Sequence, residues 1–280
     1  HLEWSGNATW EHRAGTFHDT DFHAYLEKQG VEREPKKEWF KISGEESHQQ
    51  FYRFRDTDGV LDAPGAASYT LRAEQQRAVE QTGAFARAHW DEGGAHGGEF
   101  LWNAKPRFGK TLTAYDLCRS ISAQKVLIVT NRPAIANSWY DDYVKFVGVD
   151  GGYRFISGVD ALAGKPYCLS REEYLRAFRN DPEGPKGFIE FVSLQDLKGS
   201  IRFGGVYQKL DEVADLTWDV LIIDEAHEGV DTFKTDVAFD HIKRRFTLHL
   251  SGTPFKAIAN EKFADDAIYN WTYADEQQAK

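Results

Sequence analysis

No methionine occurs in these 280 residues, and the first residue is His. Ordinary chains of this size carry several, so we expect an excerpt of a longer protein, its methionines missing as modified residues. An intact mass of 31.9 kDa would reject that expectation. Cysteine is nearly absent. Cys118 and Cys168 stand far apart with no second Cys nearby, which excludes a disulfide framework and a zinc knuckle and predicts two buried free thiols. No stretch reaches the roughly eighteen apolar residues of a membrane-spanning helix. The opening His-Leu-Glu-Trp has neither the basic start nor the apolar run of a signal peptide, so a cytoplasmic protein with no membrane partner is expected. Positive charge is in deficit, 34 Lys and Arg against 44 Asp and Glu, for a formal net charge of −10. That balance excludes a protein that coats nucleic acid by bulk electrostatics, because phosphate affinity is built from clustered Lys and Arg. Any contact with DNA has to be local.

What is present is a globular composition, 41% apolar and 14% aromatic, enough for one large domain and a smaller one. Residues 1–66 are rich in His, Asp, Glu and Trp and end in Asp56-Thr-Asp-Gly59 and Ala63-Pro-Gly65, a turn-forming composition that marks a linker. Beyond it, over residues 67–280, helical patterns alternate with short apolar runs. Leu71 to His89 reads as a helix, Phe100 to Trp102 as a strand, Thr111 to Ile121 as a helix and Val126 to Val129 as a strand. Further strands are expected at Phe188 to Leu194, Val220 to Ile223 and Phe246 to Leu250. Further helices are expected at Ser138 to Phe146, Arg171 to Arg179, Tyr207 to Val213 and Lys234 to Arg244. The alternation predicts an α/β domain, its mostly parallel sheet covered by helices on both faces. A small α+β segment precedes it.

Ala104-Lys-Pro-Arg107-Phe108-Gly109-Lys110-Thr111 lies between an expected strand and an expected helix, the context in which backbone N–H groups and a helix N-terminus cradle phosphates. Lys110 would reach the β and γ oxygens and the Thr111 hydroxyl a Mg²⁺ ion. Gly109 permits close backbone approach, and Arg107, Phe108 and Leu112 complete the nucleotide-binding set. Gly-Lys-Thr alone is a common loop tripeptide; its context is what makes it a site. In the same way Val220-Leu-Ile-Ile-Asp224-Glu225-Ala-His227 puts two carboxylates at the C-terminal end of an apolar strand, where open α/β sheets place ligands. A Mg²⁺ ion near Asp224 would give that charge a partner. Glu225 is then placed to orient the attacking water. The plain alternative is a solvated strand-end turn.

Taken together these motifs resemble superfamily 2 DEAD/DEAH-type ATPases, and most of all the motor subunits of restriction enzymes, over roughly residues 69 to 260. Leu71-Arg-Ala-Glu-Gln75-Gln-Arg-Ala-Val79 is similar to the Q motif, which implies that Gln75 reads the adenine edge. Val129-Thr-Asn-Arg132-Pro133 and Phe191-Val-Ser193-Leu-Gln195 are similar to motifs that meet the nucleic-acid backbone, so Arg132, Ser193 and Gln195 are the DNA-contact candidates. Leu250-Ser251-Gly-Thr253-Pro254 resembles motif III, and the likeness implies that His227, Ser251 and Thr253 couple ATP state to the DNA side. The resemblance implies a RecA-like P-loop NTPase lobe using ATP and Mg²⁺ and completed by a second RecA-like domain outside this chain. It also implies DNA as partner, with a nuclease or methyltransferase domain or subunit alongside. Arg107 departs from the family, which carries Gly at that position, and a single lobe is expected to hydrolyse ATP very slowly.

Near the start, Gly15-Thr-Phe-His-Asp19-Thr-Asp-Phe-His23 and Glu38-Trp39-Phe40 resemble the closing part of a GIY-YIG nuclease domain. That likeness implies a metal held by Asp19 and supported by His23, one turn apart on a helix face. The paired Tyr signature and catalytic Arg of that fold are absent, so no complete nuclease is expected. A structural helix with solvated charges accounts for the same residues. A metal-dependent nuclease using the helicase-like part as a switch or scaffold is the alternative function.

Overall fold

The computed structural model describes residues 19–28, 30–34, 39–44, 46–47, 50–51, 54, 68–90, 97–132, 135–148, 152–163, 165, 167–180, 187–224, 238–252 and 263–278. The chain divides into two units, His1–Gly65 with Gly164–Tyr167, and Ala66–Ala163 with Cys168–Lys280. The smaller unit is organised by helix α1 (Asp19–Lys28). Tyr25 and Leu26 on that helix are buried with Phe54, and Phe22, Val31, Phe40 and Ile42 pack around them. Arg33 and Phe40 form an antiparallel bridge. The His23 ring is tilted against Phe40 at 5.2 Å between centroids, a packing position.

The larger unit is built on an eight-stranded sheet in the order β4-β3-β5-β2-β6-β7-β1-β8. Its strands are β1 (Gly98–Ala104), β2 (Lys125–Thr130), β3 (Tyr153–Ser157), β4 (Cys168–Leu169), β5 (Gly187–Ser193), β6 (Trp218–Asp224), β7 (Arg244–Ser251) and β8 (Ile268–Trp271). Every named pairing is parallel. Parallel neighbours need a crossover of a dozen or more residues, and helices supply it. The crossovers bury both faces of the central strands, so Val126, Leu127, Ile128, Val220, Leu221 and Ile222 are all fully buried; such strands read as unbroken apolar runs instead of alternating. This is the expected α/β arrangement, a parallel sheet with helical crossovers.

Helix α2 (Ala73–His89) buries Gln75, Ala78, Thr82, Gly83 and Ala86, spacings of three, four and one that form a single stripe at 3.6 residues per turn. It is pinned to β1 where the Trp102 indole donates to the Thr82 hydroxyl at 2.7 Å. Helix α3 (Lys110–Ser120) follows β1, and α4 (Ala136–Asp142) follows β2 and passes into a π-helical turn, Tyr143–Val147. Helices α5 (Arg171–Asn180), α6 (Leu194–Gly199), α7 (Asp211–Asp215) and α8 (Tyr273–Gln278) complete the set named here. Cys118 and Cys168 are free and buried, as expected, and burial pushes the Cys118 thiol up to about 12.

Two expected helices are corrected at their ends; of the one expected over Lys234 to Arg244, residues 238–240 are helical and 234–237 lie outside the described residues. Tyr207 lies in a parallel bridge to Ser200, and α7 begins only at Asp211 because Leu210 takes a left-handed conformation with φ 58° that interrupts any helix through it. Arg244 opens β7 instead of closing a helix. Its guanidinium is buried and donates to the Phe239 and Ile242 carbonyls, the Thr247 hydroxyl and Glu99, which lets a charged residue sit inside a sheet. Strands β3, β4 and β8 were not anticipated. Among the described residues no helix is long and apolar enough to cross a membrane.

Candidate functional site

Because the strands are parallel, their C-terminal ends share one edge, where open α/β sheets bind ligands. The segment from β1 to α3 emerges at that edge. Gly109 caps α3 with φ 84°, a conformation that glycine adopts without strain. A Cβ there would stand 2.7 Å from the Gln75 amide nitrogen, so space and dihedral both demand glycine. Arg107 takes the same region with φ 72° and is exposed. It therefore carries at a non-glycine residue the turn that a glycine would make freely.

The loop backbone is braced from α2. The Gln75 amide donates to the Phe108 carbonyl at 2.8 Å and accepts from the Arg72 N–H at 2.9 Å. The Arg72 guanidinium donates to the same Phe108 carbonyl at 2.6 Å and to that of Arg107 at 3.3 Å. The Phe108 ring is buried between Trp102 and Tyr269, with centroids at 6.3 and 6.2 Å. Lys110 donates to the Ala104 carbonyl at 2.9 Å, so its ammonium lies across the mouth of its own loop. Thr111 and Leu112 follow in the first turn of α3, both partly buried.

Asp224 ends β6 beside Thr130 of β2 and is 8% exposed. One of its oxygens, Oδ2, accepts from the indole N–H of Trp139 on α4 at 2.8 Å. A hydroxyl at Thr111 and a carboxylate at Asp224 are hard oxygen donors, the type that suits Mg²⁺. Among the described residues no group of three or more His, Cys, Asp or Glu is arranged to hold a metal.

Ser251 is buried at the end of β7, opposite Asn103 of β1. Arg132 is exposed just after β2, its backbone N–H donating to the Thr130 hydroxyl at 3.0 Å. Ser193 is buried and caps α6, accepting from the Asp196 N–H at 3.0 Å and donating to the Asp196 carboxylate at 2.6 Å. Its hydroxyl is thus committed to the cap, while the neighbouring Gln195 is exposed. Burial works against the Asp196 charge, but hydrogen bonds from Lys209 and Ser193 outweigh it and hold the carboxyl below its usual range. Glu225, His227 and Thr253 lie outside the described residues. So does the side chain of Asp19, which begins α1.

Two features of this edge had no reading in the sequence. Trp139 lies in an unremarkable helical stretch, and only the crossing of α4 over β6 reveals its partner. Lys105, the second loop residue, pairs with Glu276 of α8 and stands 4.6 Å over the Tyr273 ring. The acidic Thr272-Tyr-Ala-Asp-Glu sequence is the one signal that could have pointed to a partner for that lysine.

The family of the type III restriction enzyme res subunit matches residues 68–256. A putative type II restriction enzyme and methyltransferase C-terminal protein of Mycoplasma pneumoniae is 25% identical over 253 residues, covering 76% of this chain and 32% of the relative. The chain thus spans about a third of that relative's length. Among solved structures, the SWI2/SNF2 ATPase core of Sulfolobus solfataricus in complex with double-stranded DNA aligns at a TM-score of 0.46 and 17% identity, covering 74% of this chain and 36% of that one. The UvsW helicase of bacteriophage T4 aligns at a TM-score of 0.48 and 14% identity, covering 90% of this chain and 77% of that one.

Proposed function

The chain belongs to the family of the type III restriction enzyme res subunit, and on that premise we propose that residues 67–280 are the ATP-binding lobe of an ATP-dependent DNA helicase or translocase serving a restriction or phage-defence system. The observation that carries this reading is the placement, at the same C-terminal edge of a parallel sheet, of a braced loop ahead of a helix and the buried strand-end carboxylate of Asp224. Lys110 leaves the Ala104 carbonyl to meet the β- and γ-phosphates, and the N–H groups at the start of α3 face the same oxygens. Thr111 and Asp224 would hold Mg²⁺, which when bound would neutralise charge on those phosphates. Glu225 orients the attacking water, and Gln75 meets adenine while bracing the loop.

DNA meets Arg132 and Gln195, and Ser193 joins them only if its cap on α6 opens. His227, Ser251 and Thr253 couple the two sides. A second RecA-like domain supplies the arginine fingers that accelerate hydrolysis, which in nucleotide hydrolases are worth roughly 10³ to 10⁵ in rate. A nuclease or methyltransferase domain or subunit uses the motion. The alternative, a nuclease centred on Asp19 and His23, is favoured by no contact among the described residues; His23 packs on Phe40.

The test is Mg²⁺-dependent binding of a fluorescent ATP analogue by this chain. Wild-type protein is expected to bind, and Lys110→Ala to weaken binding at least about tenfold, the scale of one charge-assisted contact. Equal binding by both proteins, or none by the wild type, rejects the reading.

A further inference from the structure

Trp139 stands at the junction of the two elements that carry the proposed metal ligands. Trp139 is 1% exposed. On one side the indole N–H donates to Asp224 Oδ2 at 2.8 Å in a buried contact. On the other side the Trp139 carbonyl accepts from the Tyr115 hydroxyl at 2.7 Å, and the two rings meet edge to face at 5.4 Å and 85°. Tyr115 lies on α3, the helix that begins with Lys110 and Thr111. Burial, with the Asp142 charge adding to it, keeps the Tyr115 hydroxyl protonated far above its ordinary range, so it remains a donor.

We propose that Trp139 is the positioning residue for the proposed metal-binding carboxylate: tethered to the phosphate-loop helix through Tyr115, its indole N–H sets the orientation in which Asp224 meets a divalent cation. The proposal rests on the functional reading above and adds the residue that joins its two halves.

The physical argument is one of alternatives. A carboxylate at a strand end can rotate about its side-chain torsions, and its two oxygens are equivalent until something distinguishes them. A buried N–H donor that is itself immobile does so, and a hydrogen bond to an ionised oxygen is stronger than one between neutral groups. Trp can serve because the indole nitrogen is a donor only; it does not bind the cation in competition. Partners of this kind orient metal ligands, and their loss typically costs about 10- to 100-fold in metal affinity. The same geometry ties the carboxylate to α4, whose N-cap residue, Ile135, stands three residues after Arg132 and donates its N–H to the Arg132 carbonyl at 3.0 Å.

The experiment compares the wild type with two variants, Trp139→Phe and Trp139 replaced by 3-benzothienylalanine, an isostere with sulfur where the indole has N–H. The readout is the Mg²⁺ concentration giving half-maximal binding of the fluorescent ATP analogue, alongside binding in chelator and the thermal midpoint. The isostere is expected to raise the Mg²⁺ requirement about tenfold or more, with metal-free binding and the midpoint near wild type. Trp139→Phe is expected to act likewise where it folds, and the isostere decides where it does not. A wild-type Mg²⁺ requirement in the isostere overturns the proposal and leaves the functional reading standing. Wild-type protein without Mg²⁺-dependent binding overturns the functional reading itself, and this proposal with it.

Discussion

At the scale of single residues, the phosphate loop holds one residue in a conformation it would not choose. A left-handed L residue costs roughly 1–2 kcal/mol, and Arg107 sustains φ 72° because Arg72 and Gln75 bind the carbonyls of Arg107 and Phe108. Surroundings that over-determine a strained residue are what let it persist. Arg107→Gly removes the strain, and the greater freedom of glycine in the unfolded chain offsets about 0.5–1 kcal/mol of the gain. We therefore expect Arg107→Gly to raise stability by up to about 1.5 kcal/mol, read as a higher urea midpoint at constant slope. A lower midpoint would mean that the Arg107 side chain contributes more than the strain costs. The sequence already marked Arg107 as standing where the resembled family has glycine. The positions of Lys110 and Thr111 at the start of a helix and of Asp224 at the end of a strand were equally legible, since spacing and flanking apolar runs mark them. Trp139 and the Lys105–Glu276 pair were not, because each links residues far apart in the chain and a contact across two elements leaves no local pattern.

Elements show the same division. The long central strands were legible because burial on both faces leaves only apolar residues, as in Val220-Leu-Ile-Ile of β6. Strand β8 has four residues and includes an exposed Asn270, and β4 has two, too little for a periodicity. Strand β5 hides a different exception. Glu190 is buried in the middle of it and accepts from the Arg171 guanidinium at 3.0 Å, which also stacks near the Tyr174 and Phe188 rings. Burial pushes its carboxyl up to about 8; Arg171 opposes the shift, and the nearby Glu212 carboxyl adds to it. The folded state thus holds a proton that the unfolded chain, near the ordinary value of 4.5, releases. Stability from this group is full below about pH 4.5 and is lost as pH rises toward and through about 8. Glu190→Gln, always neutral, is expected to flatten the fall in urea midpoint between those pH values and to be more stable than wild type above pH 8. An unchanged pH profile in the variant would show that Glu190 is ionised in the folded protein.

For the whole molecule, net charge constrains how the proposed function could engage DNA. With a formal charge of −10, long-range attraction to phosphate is unfavourable, and affinity has to come from a few local cations such as Arg132. Each phosphate neutralised contributes about −0.9 to the slope of log affinity against log salt. We expect a slope no steeper than about −3 for double-stranded DNA, decreasing in magnitude by about 1 in Arg132→Ala. A slope of about −6 or steeper, measured by fluorescence anisotropy across a salt series, would point to an extended basic surface instead.

By itself the sequence determined the α/β class and marked where the proposed phosphate loop and strand-end carboxylate lie, because hydrophobic period and motif spacing are local properties of a chain. It also determined the departure at Arg107. Only the tertiary structure decided the strand order, which places β7 and β6 between β1 and β2 although β1 and β2 are consecutive in the chain. It likewise decided the brace from Gln75 onto Phe108 and the reach of Trp139 to Asp224 across 85 residues of sequence. Such contacts depend on which crossover covers which strand, and that is settled when the whole sheet packs.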